Sequence, residues 1–389
     1  MSAAPRARSR PTLDSPVRIG PVTARNPVFF APTSVGYADE GVLSDAAVAH
    51  YARRATGGVG AVMTEQLAVS ESGWQHPGQP GVWDDRFDEG LRRLAAGIKE
   101  GGALAIAQLS HCGRYAGPWA RYDERRRLAP SAVPFMLPVG EVCPAEITED
   151  EITEVIEDFA SAARRVVGAG FDGIEIHGAS GFLLSGFLSP RTNRRTDAWA
   201  DGTRFVLDVV RACREAAGPD TAIGYHILTD ELLPGGYALE QALALVPRLE
   251  QAGVQFFRPA LGTFESLKAP QNAGLSARPD FQRAPTEALA SVSSVPIVAN
   301  GGISTPGQVR EVLDAGAASV VAMARPLLAD PDWLLKARDD ASPVGCACDP
   351  SLCLQTQLRG SVCAAWPEEA RALGHSGQLP PYRSRQERK

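Results

Sequence analysis

The chain has 389 residues, of which 44% are hydrophobic and 22% are charged, a composition typical of a globular protein and not of a disordered one. Its net charge of -6 gives no basic field for nucleic acid or anionic lipid, and no apolar run approaches the roughly 18 residues of a membrane span. The first residues lack the apolar segment of a secretory signal. We therefore expect a cytoplasmic protein without a nucleic-acid or membrane partner.

Short apolar runs alternate with amphipathic stretches from about Asn26 to Trp333, the pattern of βα units around a parallel sheet. Eight runs predict strands, and eight is the number that closes a barrel. The predicted strands cover residues 28–32, 61–65, 103–109, 173–177, 222–227, 256–259, 296–300 and 319–322. The fold class predicted is an α/β protein, a (β/α)8 TIM barrel over residues 19–335. A flexible N-terminal tail over residues 1–18 and an extension over residues 336–389 complete the predicted domains.

Helix boundaries are marked by capping residues. Thr148 and Glu151 have the spacing of a capping box, and an apolar stripe at helical spacing follows them. Thr305 before a proline predicts the start of a late helix, which Gly316 ends.

The predicted barrel has two additions. A proline-rich excursion over residues 115–147 separates the third and fourth strands, on the side of the barrel where substrate contacts usually lie. The C-terminal extension contains four cysteines within eighteen positions. In a reducing compartment such crowding favours a metal over disulfides.

A glycine-rich segment follows the seventh predicted strand. Gly301 and Gly302 lie there, and Ala324 and Arg325 follow the eighth strand. Glycines let backbone N–H groups approach an anion closely, and the last two βα loops are the usual phosphate site of a barrel. Two glycines could also form a simple turn, but their combination with Arg325 predicts a phosphorylated ligand.

Three further segments lie at the ends of the first, third and fourth predicted strands, over residues 31–34, 108–114 and 175–197. Together with the glycine-rich segment they resemble the Old Yellow Enzyme family of FMN-dependent oxidoreductases, over most of the chain. The run Arg191, Thr192, Asn193 and the cysteines resemble the branch that holds 2,4-dienoyl-CoA reductase and trimethylamine dehydrogenase. The second domain usual in that branch has no counterpart in this sequence.

The resemblance implies FMN as cofactor, NADH or NADPH as reductant, and a role for individual residues. His177 matches the first of two substrate-anchoring residues and would polarise a substrate oxygen, favouring hydride transfer between flavin and substrate. On the alternative interpretation it is a buried polar residue at a strand end. Residues expected to hold the flavin ring and its phosphate are Pro32, Thr33, Ser34, Gln108, Gly301, Gly302, Ala324 and Arg325. His111 and Arg114 could instead shape their loop, and Cys112 is expected to pack and not to react.

The sequence departs from the family pattern after the fourth strand. The family has His or Asn and then Tyr where this chain has Ser180 and Phe182. Phe182 cannot donate the proton that completes alkene reduction, so Ser180, Tyr37 or water would have to supply it. We therefore expect an atypical ene-reductase that reduces cyclic enones poorly, or else a flavin-dependent dehydrogenase or oxidative demethylase that needs no such acid.

Two flavin-side positions also depart from the family. His226 replaces an arginine beside the flavin, which predicts a lower or more pH-dependent potential unless the imidazole is a neutral hydrogen-bonding replacement. Gln66 replaces a small residue and would either add a hydrogen bond to the cofactor or crowd it.

The cysteines of the extension are Cys346, Cys348, Cys353 and Cys363. In the related branch such a run binds a [4Fe-4S] cluster, although the intervals here differ. An iron–sulfur cluster, tetrahedral zinc and reduced structural thiols all remain open. A cluster would allow an electron-transfer partner.

Two other classes of function remain open, a non-redox phosphate-binding barrel enzyme and a catalytically silent flavoprotein. The substrate would be a small molecule in the first-choice interpretation. Barrels of this family often pair, so an oligomer is also consistent with the sequence.

Overall fold

Eight parallel strands curve into a barrel in the computed structural model, which describes residues 12–117, 127–137, 140–339, 341–346, 352–358, 360–368 and 371. Neighbours in the sheet follow the chain order, and Phe257 N–H donates to the Pro296 carbonyl (3.0 Å) across the remaining gap. The (β/α)8 prediction is confirmed. The barrel strands are β1 (Val28–Phe30), β2 (Ala61–Ala68), β3 (Leu104–Ser110), β4 (Gly173–Gly178), β5 (Ala222–Asp230), β6 (Phe256–Leu261), β7 (Val298–Ala299) and β8 (Val320–Met323).

Helices between the strands cover the outside of the barrel. The Thr148 side chain accepts from Glu151 N–H and the Glu151 side chain accepts from Thr148 N–H, so the expected capping box forms. Thr305 caps the later helix and Gly316 ends it with a left-handed backbone. The helices are α1 (Asp45–Thr56), α2 (Asp88–Glu100), α3 (Glu149–Gly168), α4 (Leu183–Leu188), α5 (Gly202–Ala217), α6 (Leu239–Ala252), α7 (Arg283–Val292), α8 (Pro306–Ala315), α9 (Arg325–Ala329), α10 (Trp333–Arg338) and α11 (Leu352–Thr356).

The apolar core has two layers. One lies between the strands and the helices, and the other fills the lower barrel interior with Phe29, Met63, Ile106 and Phe256, all fully buried. Such a filled interior is a core and not a pore, so the open end of the barrel is left for chemistry.

A short N-terminal hairpin pairs Val17–Ile19 with Val22–Ala24. Ile19 is fully buried in the cluster of the barrel interior, and Leu13 is also buried. These apolar side chains gain from burial against the barrel, and the predicted tail over residues 1–18 stays a prediction. Residues 1–11 lie outside the described residues.

The described residues of the proline-rich excursion pack at the open end of the barrel. Leu128–Ala129 pairs in parallel with Ala145–Glu146, and Phe135–Leu137 forms a hairpin with Gly140–Val142. Among the residues that the structure describes, no helix is long and apolar enough to cross a bilayer.

Candidate active site

Three side chains lie at one level near the carboxyl ends of adjacent strands. His177 on β4 is in register with His226 on β5, and His226 is in register with Arg258 on β6. The two imidazole rings are 4.9 Å apart and nearly perpendicular. All three residues are buried.

His177 is a neutral imidazole with a defined proton position. Burial, followed by the nearby Arg258 charge, lowers the pKa of His177 to about 3. Ala179 N–H donates to His177 Nδ1 (3.4 Å), so the proton of the neutral ring lies on Nε2. The ring can therefore donate a hydrogen bond through Nε2 at physiological pH.

His226 is also neutral. Burial, then Arg258 and His177, lower the pKa of His226 well below its ordinary value. Its Nδ1 is buried and has no hydrogen-bond partner among the described residues. Titration of His226 in the physiological range is therefore not expected, which favours the neutral replacement of the family's arginine.

Aromatic side chains form a wall beside His177. The Phe182 ring lies 4.8 Å from the His177 ring and stacks on Phe264 at 6.0 Å. Tyr115 from the excursion contacts both phenylalanines. Ser180 adopts a left-handed backbone (φ 63°), and its carbonyl accepts from Phe264 N–H (3.2 Å). These rings make the surroundings of His177 apolar on this side.

Gln108 is fixed by the carboxylate of Glu175 on β4. Gln108 Nε2 donates to Glu175 Oε2 (2.6 Å), and Arg258 binds both oxygens of the same carboxylate. The amide oxygen of Gln108 is thus left for another donor. The sequence signal for Arg258 was a charged residue inside the apolar run of β6. The signal for Glu175 was its position two residues before His177, which puts both side chains on the same face of β4.

The loop after β1, which holds Pro32, Thr33 and Ser34, is half-exposed at this end of the barrel. Glu65 fixes the loop because its carboxyl accepts from Val35 N–H (3.0 Å) and Gly36 N–H (3.3 Å). Burial raises the pKa of Glu65 to about 7. Glu65 thereby acts on the loop through backbone hydrogen bonds, which no sequence motif marks.

Gln66 uses its amide within the protein. Its Nε2 donates to Gln75 Oε1 (3.2 Å), and its Oε1 accepts from Ser110 (3.4 Å). The contact with Cys112 is longer, at 3.8 Å, and burial raises the pKa of that thiol to about 12. The thiol therefore stays protonated, as expected for a packing residue.

His111 shapes its loop. Its Nδ1 accepts from Gly113 N–H (3.1 Å) and its Nε2 lies 3.2 Å from the Ser72 hydroxyl. Both nitrogens are thereby used, which supports the structural alternative. Arg114 stacks over the Phe135 ring at 4.1 Å and donates to the Val133 carbonyl (3.4 Å).

Tyr37 faces the C-terminal extension and not His177. Its hydroxyl donates to the Ser361 carbonyl in a short hydrogen bond, and Ser361 N–H donates to the Val35 carbonyl (2.7 Å). The structure therefore brings Phe182 to His177, with Ser180 in the turn between them, but places the Tyr37 hydroxyl elsewhere.

The glycine-rich segment has features of an anion site. Gly301 and Gly302 both have left-handed backbones (φ 87° and 74°), and their N–H groups donate to no described residue. Arg325, next to Ala324, is exposed and contacts only the Ser276 carbonyl (3.2 Å) among its described polar partners. Unsatisfied N–H groups and a cation without a carboxylate partner fit a phosphate.

The same glycines also meet a packing requirement. A Cβ on Gly302 would lie 2.4 Å from the Arg278 carbonyl oxygen, and one on Gly301 would lie 2.7 Å from the Phe281 ring. The turn alternative and the phosphate alternative are therefore compatible, because each uses a different part of the glycine.

Three of the four cysteines meet in one small cluster. Cys353 and Cys363 are buried with Leu328, and Cys346 and Trp366 pack against them. Cys348 lies outside the described residues. Within the described part of the chain, no three potential ligands are close enough to hold one metal ion.

The donor set fits FMN at the phosphate end and at the ring end. The N–H groups of Gly301 and Gly302 with Arg325 suit the phosphate, and Gln108 offers an amide oxygen to the N–H of a flavin pyrimidine. The half-exposed loop of residues 32–34 lies between them in the order of the barrel strands.

Comparison with known proteins identifies the family. A model of the NADH:flavin oxidoreductase / NADH oxidase family matches residues 12–342. A metal reductase of Desulforamulus reducens is 35% identical over 84% of this chain and 48% of its own length. An NADPH dehydrogenase of a Geobacillus species is 32% identical over 82% of this chain and 92% of its own length.

Solved structures agree with this. Histamine dehydrogenase from Rhizobium sp. 4-9 superposes with a TM-score of 0.80 at 28% identity, over 92% of this chain and 53% of that one. The chain thus spans about half the length of several relatives it matches. The family match, which covers both the glycine-rich segment and the strand β4 motif, confirms the resemblance to Old Yellow Enzyme. The chain belongs to the NADH:flavin oxidoreductase / NADH oxidase family of FMN-dependent oxidoreductases.

Proposed function

We propose that the protein uses NADH or NADPH to reduce a small conjugated substrate, as an ene-reductase without the usual phenolic acid. Bound FMN supplies the hydride in such chemistry. The observation that carries the proposal is the neutral His177, whose Nε2 proton is free to bind a carbonyl or nitro oxygen.

His177 would act by hydrogen bonding to the oxygen that gains negative charge as the alkene is reduced. Its neutral ring donates this hydrogen bond through Nε2–H. The aromatic wall lowers the local dielectric, which strengthens the hydrogen bond. Gln108, held by Glu175, would orient the cofactor, and Gly301 and Gly302 would bind its phosphate.

Phe182 decides which conjugated substrates react well. Its buried ring offers no proton, and Tyr37 is bound to the extension, so Ser180 or water would protonate the product. Alkenes whose anionic product is stable without immediate protonation, such as nitroalkenes, should therefore react faster than cyclic enones.

The test is stopped-flow reoxidation of the NADPH-reduced protein by a nitroalkene and by 2-cyclohexenone, with His177→Ala as the comparison. We expect faster reoxidation by the nitroalkene, and a loss of roughly 100-fold in His177→Ala, as for other donors to a developing oxyanion. Equal rates in wild type and His177→Ala would contradict the role of His177.

A second candidate is dehydrogenation of an amine or a similar substrate, favoured by the absence of an acid at Phe182. Histamine dehydrogenase, among the structural neighbours, bears that activity in its name. Product analysis after single turnovers of the oxidised protein with a panel of amines separates the two candidates. Bleaching of the flavin by an amine, with the oxidised product recovered, would favour dehydrogenation.

That the cysteine cluster binds a metal remains a proposal. Iron and acid-labile sulfide analysis of anaerobically purified protein tests it, and zinc analysis tests the tetrahedral alternative. Neither metal in stoichiometric amount would leave the cysteines as structural thiols. An electron-transfer partner, an oligomer and a cytoplasmic location stay predictions.

A further inference from the structure

A fully buried ion pair lies in the barrel interior at the level of the candidate-site residues, because Glu175 is in register with Gln108 and Arg258 is in register with His226. Glu175 on β4 is completely buried, and the Arg258 side chain on β6 is only 6% exposed. Arg258 Nε donates to Glu175 Oε1 (2.8 Å), and Nη2 donates to Oε2 (2.7 Å). This two-point contact fixes the plane of the guanidinium as well as its position.

The ion pair reaches across β5. Glu175 is in register with Gly224 on β5, which has no side chain to block the contact. The Arg258 backbone is in register with His226, the position where family members hold an arginine. The Arg258 backbone therefore lies one strand beyond the position of the family's arginine. Its ion pair with Glu175 on β4 directs the guanidinium back across β5.

Stability alone gives little reason for this pair. Burying two charges costs several kcal/mol per ion, and an apolar pair of the same size is often as stable. Phe256 and Met63 nearby show that this interior accepts large apolar side chains. The pair also contacts Gln108, whose amide is expected at the flavin pyrimidine.

The charge of Arg258 influences the two histidines of the site. It is the first neighbouring charge that lowers the pKa of His177 and of His226, after burial itself. A cation that acts on both imidazoles lies close to the space above β4 and β5.

We propose that Arg258, held by Glu175, replaces the family's β5 arginine as the cation at the pyrimidine end of FMN. Arg258 is also a positioning residue. It fixes the Glu175 carboxylate, and that carboxylate accepts the hydrogen bond that orients the Gln108 amide. A cation at this end favours reduced FMN, which carries more negative charge than oxidised FMN. The inference rests on the proposed FMN-dependent function.

The test compares variants that leave no uncompensated buried carboxylate. Glu175→Gln keeps the cation, and Glu175→Gln/Arg258→Met removes it in the same background. A triple variant adds His226→Arg, which returns an arginine to β5. For each, the dissociation constants of oxidised and reduced FMN are measured with the apoprotein, together with circular dichroism and the unfolding midpoint.

We expect the ratio of reduced to oxidised dissociation constants to rise about tenfold from Glu175→Gln to Glu175→Gln/Arg258→Met. For a two-electron couple this corresponds to a potential lower by about 30 mV. The triple variant should bring the ratio back toward that of Glu175→Gln. A purely structural ion pair would change the unfolding midpoint without changing this ratio.

A ratio within twofold between the folded Glu175→Gln and Glu175→Gln/Arg258→Met proteins would overturn the inference. If the double variant does not fold, Glu175→Gln alone carries the test, because the less compensated cation should tighten reduced FMN about tenfold relative to wild type. An unchanged ratio there would equally overturn it. A wild-type protein that binds no FMN would instead overturn the proposed function.

Discussion

Phe182 lies where the family's proton donor is expected, with its ring 4.8 Å from the His177 ring. Phe182→Tyr adds a hydroxyl in this position, so we expect reoxidation of the reduced flavin by 2-cyclohexenone to become at least about tenfold faster. Phe264→Tyr is the matched control, because Phe264 belongs to the same wall but is 40% exposed. Equal stopped-flow rates in Phe182→Tyr and wild type would count against the missing-acid interpretation.

Glu65, which fixes the loop after β1, makes the stability of the folded protein depend on pH. Its carboxyl ionises near 4.5 in the unfolded chain, but burial raises its pKa to about 7 in the folded protein. The unfolded state therefore loses its proton first, and the stability that Glu65 contributes at low pH is lost as the pH rises from about 4.5 to 7.

Glu65→Gln should remove this dependence. We expect the free energy of unfolding to fall between pH 5.5 and 8 by about 2 kcal/mol more in wild type than in Glu65→Gln. Denaturant unfolding at both pH values measures the difference, and Glu287→Gln on the exposed side of α7 serves as control. A parallel decline in wild type and Glu65→Gln would show that Glu65 is not the responsible group.

At the residue level, the sequence predicts those side chains that lie in continuous motifs. His177 and Gln108 lie in the last residues of β4 and β3, Phe182 follows β4, and each belongs to a recognisable segment that the structure places at one end of the barrel. The pairing of Glu175 with Arg258 could not be predicted, because these residues are 83 positions apart and meet only across β5.

At the level of elements, the first prediction concerns the loops after β7 and β8, which are expected to bind the FMN phosphate. Arg325→Ala should weaken binding of FMN roughly tenfold or more but leave riboflavin binding unchanged, because riboflavin has no phosphate. Arg310→Ala on the exposed side of α8 is the control for loss of charge. Fluorescence titration of the apoprotein with both flavins measures this. Equal losses for FMN and riboflavin would exclude a phosphate contact.

Among the described residues, hydrogen bonds of Tyr37 and Val35 with Ser361 hold the C-terminal extension to the loop after β1. Tyr37→Phe removes the contact with the Ser361 carbonyl, so amide exchange of residues 360–363 should become several-fold faster. Tyr237→Phe is the matched control, because the buried Tyr237 hydroxyl has no described partner. Hydrogen-exchange mass spectrometry reads both, and unchanged exchange in Tyr37→Phe would mean that other contacts hold this segment.

Element boundaries follow from the sequence only where backbone chemistry agrees with the apolar pattern. The seventh strand was expected over residues 296–300, but only Val298–Ala299 forms a strand. Pro296 has no N–H to donate, and Gly301 turns the chain away. The hairpin that includes Val17–Ile19 was missed because strands of three residues carry too short a pattern.

At the scale of the whole molecule, the account requires that one open end of the barrel hold FMN between the glycine-rich segment and the β3 and β4 side chains. The barrel itself was predictable from eight apolar runs that alternate with amphipathic stretches, since this alternation is typical of that architecture. The substrate was not, because it is set by loops such as the excursion, whose contacts with Phe182 arise only in three dimensions.

The most direct measurement is an anaerobic titration of the purified protein with NADH and with NADPH, followed at the flavin absorption band. We predict a yellow protein with one FMN per chain, bleached by about one equivalent of at least one nicotinamide. A colourless protein that takes up no added FMN, or a bound flavin that neither nicotinamide reduces, would contradict the account.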